Sequence, residues 1–445
     1  MKKLIFNTAI VMAIITVNSC QKHDFSDPGN PTSIEQGYLT NETTAQVAID
    51  WYKLQLRFFL QRNSTINGGY LGYLGIGLYE SVRYGIKNSV SFSQSLYQMP
   101  EMPAKENNNG YHYAVSANAA MAAMLRSFNT GLTTANSASI DSLENAYNQK
   151  LSPDAGSASF KRSQAFGRSI AAAMHDWYLT DNLNLSNAGY TPLGTPGSWI
   201  PTPPAYGPAI NVNLGSGRTF LASDLSFVAP PFPAAYSEVP NSDFYNIVKM
   251  VYDISKTLTD DQKNIARFWI DQGNGIGYTP NGHELSLTVQ ALEQTHASLA
   301  VAAEAFAKVS IAQRDAIVVV FRSKFIYNLI RPVSYIQKVI DATWLPLIPT
   351  PPHPEYPAAH ALITGAAMQA LERVLGANVP VWDHTYDFRD PLKYPARHYN
   401  SITDAGAEAG ISRLYGGIHY LPSINIGLTM GREIGNKVGD IKLHD

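Results

Sequence analysis

Long stretches of this chain place apolar residues three and four positions apart, the repeat of a helix that buries one face. From about Thr43 to Asp181 the repeat runs through "AQVAIDWYKLQLRFFLQR", "YHYAVSANAAMAAMLRSF" and "SASFKRSQAFGRSIAAAMHDWYL". It resumes near Ser242, and its longest later pieces are "HELSLTVQALEQTHASLAVAAEAFAKV" and "IAQRDAIVVVFRSKFIYNLIRPVSYIQ". Residues 182–240 differ in kind. "GYTPLGTPGSWIPTPPAYGPA" and "FVAPPFPAAYSEVP" together hold ten prolines, too many for regular helix. A connection of that length inside a compact protein is more often functional than idle. Strand-like alternation is scarce, and no repeat of solenoid period is visible. The pattern predicts an all-α protein of two packed helical halves. Residues 41–240 form the first half with its proline-rich connection, and residues 241–445 form the second.

Composition changes this picture little. The 445 residues can bury a large core, and 45% apolar residues is ordinary for a globular protein. A net charge of −2 gives no electrostatic case for nucleic acid. The N-terminus does add something. Lys2 and Lys3 precede the apolar run "LIFNTAIVMAIITV", and "VNSC" follows it, ending at Cys20. This reads as an export signal over residues 1–20. "VNSC" resembles a bacterial lipoprotein box, which implies cleavage before Cys20, lipid on its sulfur and a place in the cell envelope. The polar residues 21–40 then form a tether. Cys20 is the single cysteine, so the mature body has no catalytic thiol, disulfide or cysteine-ligated metal. No later stretch reaches about 18 consecutive apolar residues, the length needed to span a membrane.

Three pieces of the second half carry candidate chemistry. In "KFIYNLIRP", Lys324 and Arg331 are seven apart, two turns of a helix, so both heads are expected on one face. Their flanks are apolar, and two cations there call for an anion; alone, the pair reads as snorkelling surface charge. In "HPEYPAAHALITG", Pro357 suits a first helical turn, and Ile363, Ala366, Ala367, Ala370 and Val374 continue the helical spacing. His360 is thereby placed near a helix N-terminus, where free N–H groups favour an anion. In "SRLYGGIHYLPS", Arg413 and His419 would lie about 240° apart on one continuous helix. Gly416 and Gly417 permit a break after which both side chains converge. Three cations and two histidines together describe a pocket for a tetrahedral oxyanion.

Lys324-(six residues)-Arg331-Pro332, then Pro357-x-x-His360, then Ser412-Arg413-(five residues)-His419 resembles the signature of the vanadium-dependent haloperoxidases and the type 2 phosphatidic acid phosphatases. "GSWIPTPPAYGP" and "FWIDQGNGIGYTPNGHE" are similar to stretches of bacterial haloperoxidase-like proteins, so the resemblance covers roughly residues 40–440. It implies two helical bundles and a vanadate cofactor, in a site that phosphate can also occupy. Lys324, Arg331, Arg413 and the Ala359 backbone N–H would hold the oxyanion. His419 would be the metal ligand, or the nucleophile of an acid phosphatase, and His360 the acid–base group. His353 falls where bromide-oxidising members carry histidine. The implied reactants are hydrogen peroxide, bromide or iodide rather than chloride, and small organic acceptors. An oxyanion-binding lipoprotein without catalysis is the remaining alternative. Two departures stand out. The usual Pro-Ser-Gly-His is Pro-Ala-Ala-His here, which loses a hydroxyl worth about 1–3 kcal/mol to a charged acceptor. The aspartate usual four residues after the last histidine is Ser423, whose hydroxyl can accept from His419 but adds no charge.

Overall fold

The computed structural model describes residues 40–61, 69–106, 110–181, 183, 186–271, 277–389 and 394–444. The export signal, Cys20 and the tether up to residue 39 lie outside these. The first half contains α1 (Gln46–Gln61), α2 (Leu71–Val82), α3 (Tyr113–Phe128), α4 (Thr134–Ala155) and α5 (Ser157–Leu179). The second contains α6 (Asp243–Thr257), α7 (Asp260–Phe268), α8 (Pro280–Gln294), α9 (Leu299–Tyr327), α10 (Pro332–Val339), α11 (Ala359–Leu375), α12 (Ile402–Tyr415) and α13 (Leu421–Gly439). A short antiparallel hairpin, β1 (Val381–Asp383) and β2 (Arg397–Tyr399), is the one sheet among the described residues. No described helix is long and apolar enough to cross a membrane.

The two halves share one axis. The 29-residue α9 is buried on every side for most of its length, and it packs against α2 of the first half and α11 of the second. A helix apolar all round belongs at the centre of a large core. The proline-rich connection is likewise fastened to α9. Trp199 N donates to Asn328 O (2.6 Å), Phe220 N and Leu221 N donate to the buried Asp315 carboxylate (2.6 and 2.8 Å), and Ala229 N donates to Ser323 Oγ (2.9 Å). These bonds satisfy backbone groups that proline keeps out of helix.

Two sequence expectations need correction. "HELSLTVQALEQTHASLAVAAEAFAKV" is two helices, because Ser298 caps a new N-terminus by accepting from Val301 N. Lys324 and Arg331 do not share one helix either. α9 ends at Tyr327, Asn328 takes a left-handed C-cap at φ 48°, and Arg331 is the extended N-cap of α10, with Pro332 in its first turn. Chain reversal, not helical phase, brings their heads to the same place.

α11 and α13 pack at close range because α13 presents glycine every fourth residue. A Cβ on Gly427, Gly431 or Gly435 would meet Ala358 O at 2.9 Å, Leu362 O at 2.3 Å or Ala366 O at 2.5 Å. This contact sets the candidate residues at the N-terminus of α11 beside those just before α13.

Candidate functional site

The N-terminus of α11, the turn between α12 and α13, and the segment after α10 meet around a cavity of about 340 Å³. His353, Ala359, His360, Arg413 and His419 line it, with Ile210, Phe321, Pro352 and Ile363 among its apolar walls. Lys324 and Arg331 do not line the cavity. They lie behind it, fully buried.

Each position follows from local chain geometry. α11 starts at Ala359 after an extended Ala358, so Pro357 precedes the helix rather than entering it, and His360 is its second residue. α12 ends at Tyr415, and Gly417 turns the chain at φ 77°, as the glycine pair predicts. His419 and Arg413 thereby face one cavity.

Lys324 Nζ donates to Pro354 O (3.0 Å) and Glu355 O (2.7 Å). Arg331 donates through Nε to His353 O (2.8 Å) and through Nη1 to Ile418 O (2.9 Å). Its Nη1 and Nη2 also lie 3.2 and 3.0 Å from His419 Nε2 and His353 Nδ1. Arg413 donates to Ser412 Oγ (2.9 Å) and to Trp269 O, and its Nη1 is 3.5 Å from His360 Nε2. All these partners are uncharged. Burial pushes Arg331 and Arg413 down to about 10 and Lys324 well below its ordinary range. Glu355, beside Lys324 and Arg331, and Asp271, beside Arg413, supply part of the balancing charge, and an anion in the adjoining cavity can offset the rest.

His419 is fixed from both sides. A guanidinium can only donate, so Nε2 facing Arg331 carries a lone pair and the ring proton is on Nδ1. Nδ1 is 2.7 Å from Glu355 Oε1. Burial, with Arg331 and Lys324 nearby, holds the imidazole neutral well below its usual range. Ser423, expected as its partner, is not: Glu355 accepts from the ring, and the Ser423 hydroxyl lies against the Glu355 carboxyl instead. Burial pushes the Glu355 carboxyl up to about 7, against the pull of Lys324 and Arg331.

His360 Nε2 lies between Arg413 Nη1 and Asp271 Oδ2, the latter at 3.4 Å. Burial and then Arg413 lower its pKa to about 4. Unprotonated, Nε2 can accept from Arg413; protonated, it can donate to Asp271. Each protonation state has a partner, as a proton shuttle requires. Asp271 is itself held in left-handed backbone at φ 42° and accepts from Tyr386 Oη (2.5 Å). Its Oδ1 is 2.8 Å from His283 Nδ1, whose Nε2 is 2.8 Å from Asp383 Oδ2.

Glu355, Asp271, His283, Asp383 and Tyr386 were not among the residues expected from the sequence. Glu355 stands inside "HPEYPAAH", five residues before His360, and Asp271 and His283 stand inside "FWIDQGNGIGYTPNGHE". Asp383 sits on the hairpin with no local signal.

The family described as the VCPO second helical-bundle domain matches residues 304–443. Among solved structures, the chain is similar to a bacterial vanadium-dependent iodoperoxidase, with TM-score 0.81, 28% identity, and coverage of 91% of this chain and 98% of that one. It is also similar to a bacterial vanadium-dependent chloroperoxidase. The apo form gives TM-score 0.61 at 14% identity, covering 84% and 92% of the two chains. The holo form gives 0.59 at 15%, covering 92% and 95%. At those identities the chloroperoxidase shows the fold alone. No curated protein matches the chain significantly.

Proposed function

We propose that the chain is an enzyme of the vanadium haloperoxidase superfamily that oxidises iodide or bromide, rather than chloride, with hydrogen peroxide. The supporting observation is the His419 ring on the cavity wall, neutral, with its Nε2 lone pair facing the Arg331 guanidinium and its Nδ1–H held by Glu355. One imidazole nitrogen with cationic N–H donors suits an anionic oxometalate, and these residues fit vanadate. Among the described residues no group of three or more acidic, histidine or cysteine side chains is arranged to hold a bare cation.

His419 Nε2 would be the metal ligand. Arg413 and the Ala359 N–H on the cavity wall, with Lys324 and Arg331 buried behind it, would hold the oxyanion. Bound vanadate supplies a Lewis-acidic centre that makes peroxide oxygen electrophilic. The balanced reaction takes halide, hydrogen peroxide and one proton to hypohalous acid and water. His360 Nε2 would accept a proton from hydrogen peroxide, with Asp271 Oδ2 placed to receive the resulting N–H, and would later give that proton up again. Small organic acceptors then consume the hypohalous acid.

The halide preference rests on two features. The iodoperoxidase is similar over nearly its whole length, and Ala358 supplies no hydroxyl at the N-cap of α11 next to the cavity-lining Ala359. Steady-state rates with the three halides, with and without vanadate, test the reading. Vanadate-dependent turnover that falls from iodide through bromide to chloride is expected; halide oxidation unaffected by vanadate would overturn it. One observation favours a second reading. The Glu355–His419 pair also suits a nucleophilic histidine, so an acid phosphatase with phosphate on Nε2 remains the alternative. Turnover of an aryl phosphate without vanadate would select it.

A further inference from the structure

We propose that Glu355 is the positioning residue that fixes His419 as the Nδ1–H tautomer and aims its Nε2 lone pair at the oxyanion site, a carboxylate role that Ser423 cannot fill. Only the identity of the ligand rests on the haloperoxidase reading; the tautomer does not.

Glu355 is fully buried. One oxygen, Oε1, accepts from His419 Nδ1 at 2.7 Å and from Tyr420 N at 2.9 Å. The first bond sets the ring's proton and rotation. The second fixes the backbone immediately after that ring, so both degrees of freedom of His419 end on one atom. The residue's own backbone is equally committed: its N donates to Leu329 O at 2.9 Å, and its carbonyl accepts from Lys324 Nζ at 2.7 Å. Glu355 thus joins the ligand histidine to one of the three cations and to the chain leading into the Arg331 turn.

The Ser423 hydroxyl is also buried and lies against the Glu355 carboxyl, whose ionised form it helps to stabilise. The two segments are adjacent, since Ala358 N donates to Ser423 O at 3.3 Å. A carboxylate on either segment could serve His419, and this chain carries it on the segment before α11. Carboxylate partners of ligating histidines set the tautomer and raise ligand basicity, and their loss typically costs roughly 10–100-fold in metal affinity.

A merely structural role would consist of accepting from Tyr420 N and filling space, and Glu355→Gln preserves both while removing the charge. The test uses the full chain, with a melting curve confirming that each variant is folded. In vanadate-free protein labelled with ¹⁵N-histidine, the His419 signal, assigned by its loss in His419→Ala, reports the tautomer. Wild type should be wholly Nδ1–H. Glu355→Gln keeps an acceptor oxygen, and Arg331 still donates to Nε2, so the tautomer should persist there. Glu355→Leu leaves Nδ1 without that acceptor and should show a mixed or shifted ring signal. Equilibrium dialysis with orthovanadate should give a dissociation constant raised tenfold or more in both variants. The double variant Glu355→Gln/Ser423→Asp should recover much of that loss by presenting a carboxylate from the other side. An unchanged ring signal in Glu355→Leu, or vanadate affinity in Glu355→Gln within about threefold of wild type, overturns the role assigned to Glu355. Wild-type protein that binds no vanadate but shows the ring shift in Glu355→Leu would overturn the haloperoxidase reading and support the positioning role.

Discussion

Ala358 is the single residue whose replacement separates helix capping from anion binding. It is the N-cap of α11, at φ −68° and ψ 115°, and it offers no side-chain acceptor to the open N–H groups of the first turn. The first helical bond there is Leu362 N to Ala358 O, so the amides of His360 and Ala361 have no helical partner. A serine in this conformation can accept from one of them, which usually adds about 0.5–2 kcal/mol. Ala358→Ser is therefore expected to raise the urea-unfolding free energy by about 1 kcal/mol in oxyanion-free buffer. A further rise specific to added phosphate would report a bond from the hydroxyl to the anion itself. Unchanged or reduced stability without phosphate would show that the cavity does not let residue 358 cap the helix.

At the scale of elements, the site depends on how closely α13 lies on α11. Glycine to alanine in a helix interior normally stabilises by about 1 kcal/mol through propensity. At Gly431 the added Cβ would stand 2.3 Å from Leu362 O and 2.9 Å from Ala366 N, both rigid helix backbone. The helices must separate, and overpacking of this kind costs about 1–3 kcal/mol. Gly431→Ala should thus be destabilising and should weaken vanadate binding, since α11 carries His360 and α13 begins two residues after His419. Gly207, with ordinary φ and open space around its hypothetical Cβ, is the control and should stay within about 0.5 kcal/mol. Equal effects at the two positions would remove the close helix contact as the cause. The elements themselves were largely legible. Apolar spacing located the helices, and prolines marked 182–240 as something else, because both signals are local. The turn at Asn328–Arg331 was missed because "KFIYNLIRP" keeps a helical repeat through residues that the left-handed Asn328 takes out of helix. The cations and histidines were recoverable from their motif. Their carboxylate partners were not, because Glu355–His419 and His283–Asp383 join residues 64 and 100 positions apart.

Across the whole molecule, a buried chain of charge joins the hairpin to the site. Asp383 on β1 meets His283 on α8, His283 meets Asp271, and Asp271 faces His360 on α11. His283 also stacks on Trp269 at 4.2 Å, and the carbonyl of Trp269 accepts from Arg413. Both ring nitrogens of His283 face carboxylates at 2.8 Å, and only the doubly protonated ring can donate to both. Burial alone would lower its pKa, but Asp271 and Asp383 outweigh it and raise the imidazolium to about 10. The unfolded chain titrates this group near the ordinary value of 6.5. Between those two values the native state binds the proton and the unfolded state does not, so unfolding free energy falls as pH rises. The contribution of His283 is complete below the unfolded value and is lost as pH climbs through the folded one. His283→Gln retains one donor and one acceptor but has no such titration. The difference in unfolding free energy between wild type and His283→Gln should therefore be largest near roughly pH 6 and shrink toward roughly pH 10. Taking the difference cancels titrations that do not depend on His283, such as that of Lys324. Urea unfolding at intervals across this range measures it directly. A difference that stays constant over the range would show that His283 is neutral in the folded protein, and that Asp271 is held in place by hydrogen bonding without a cation behind it.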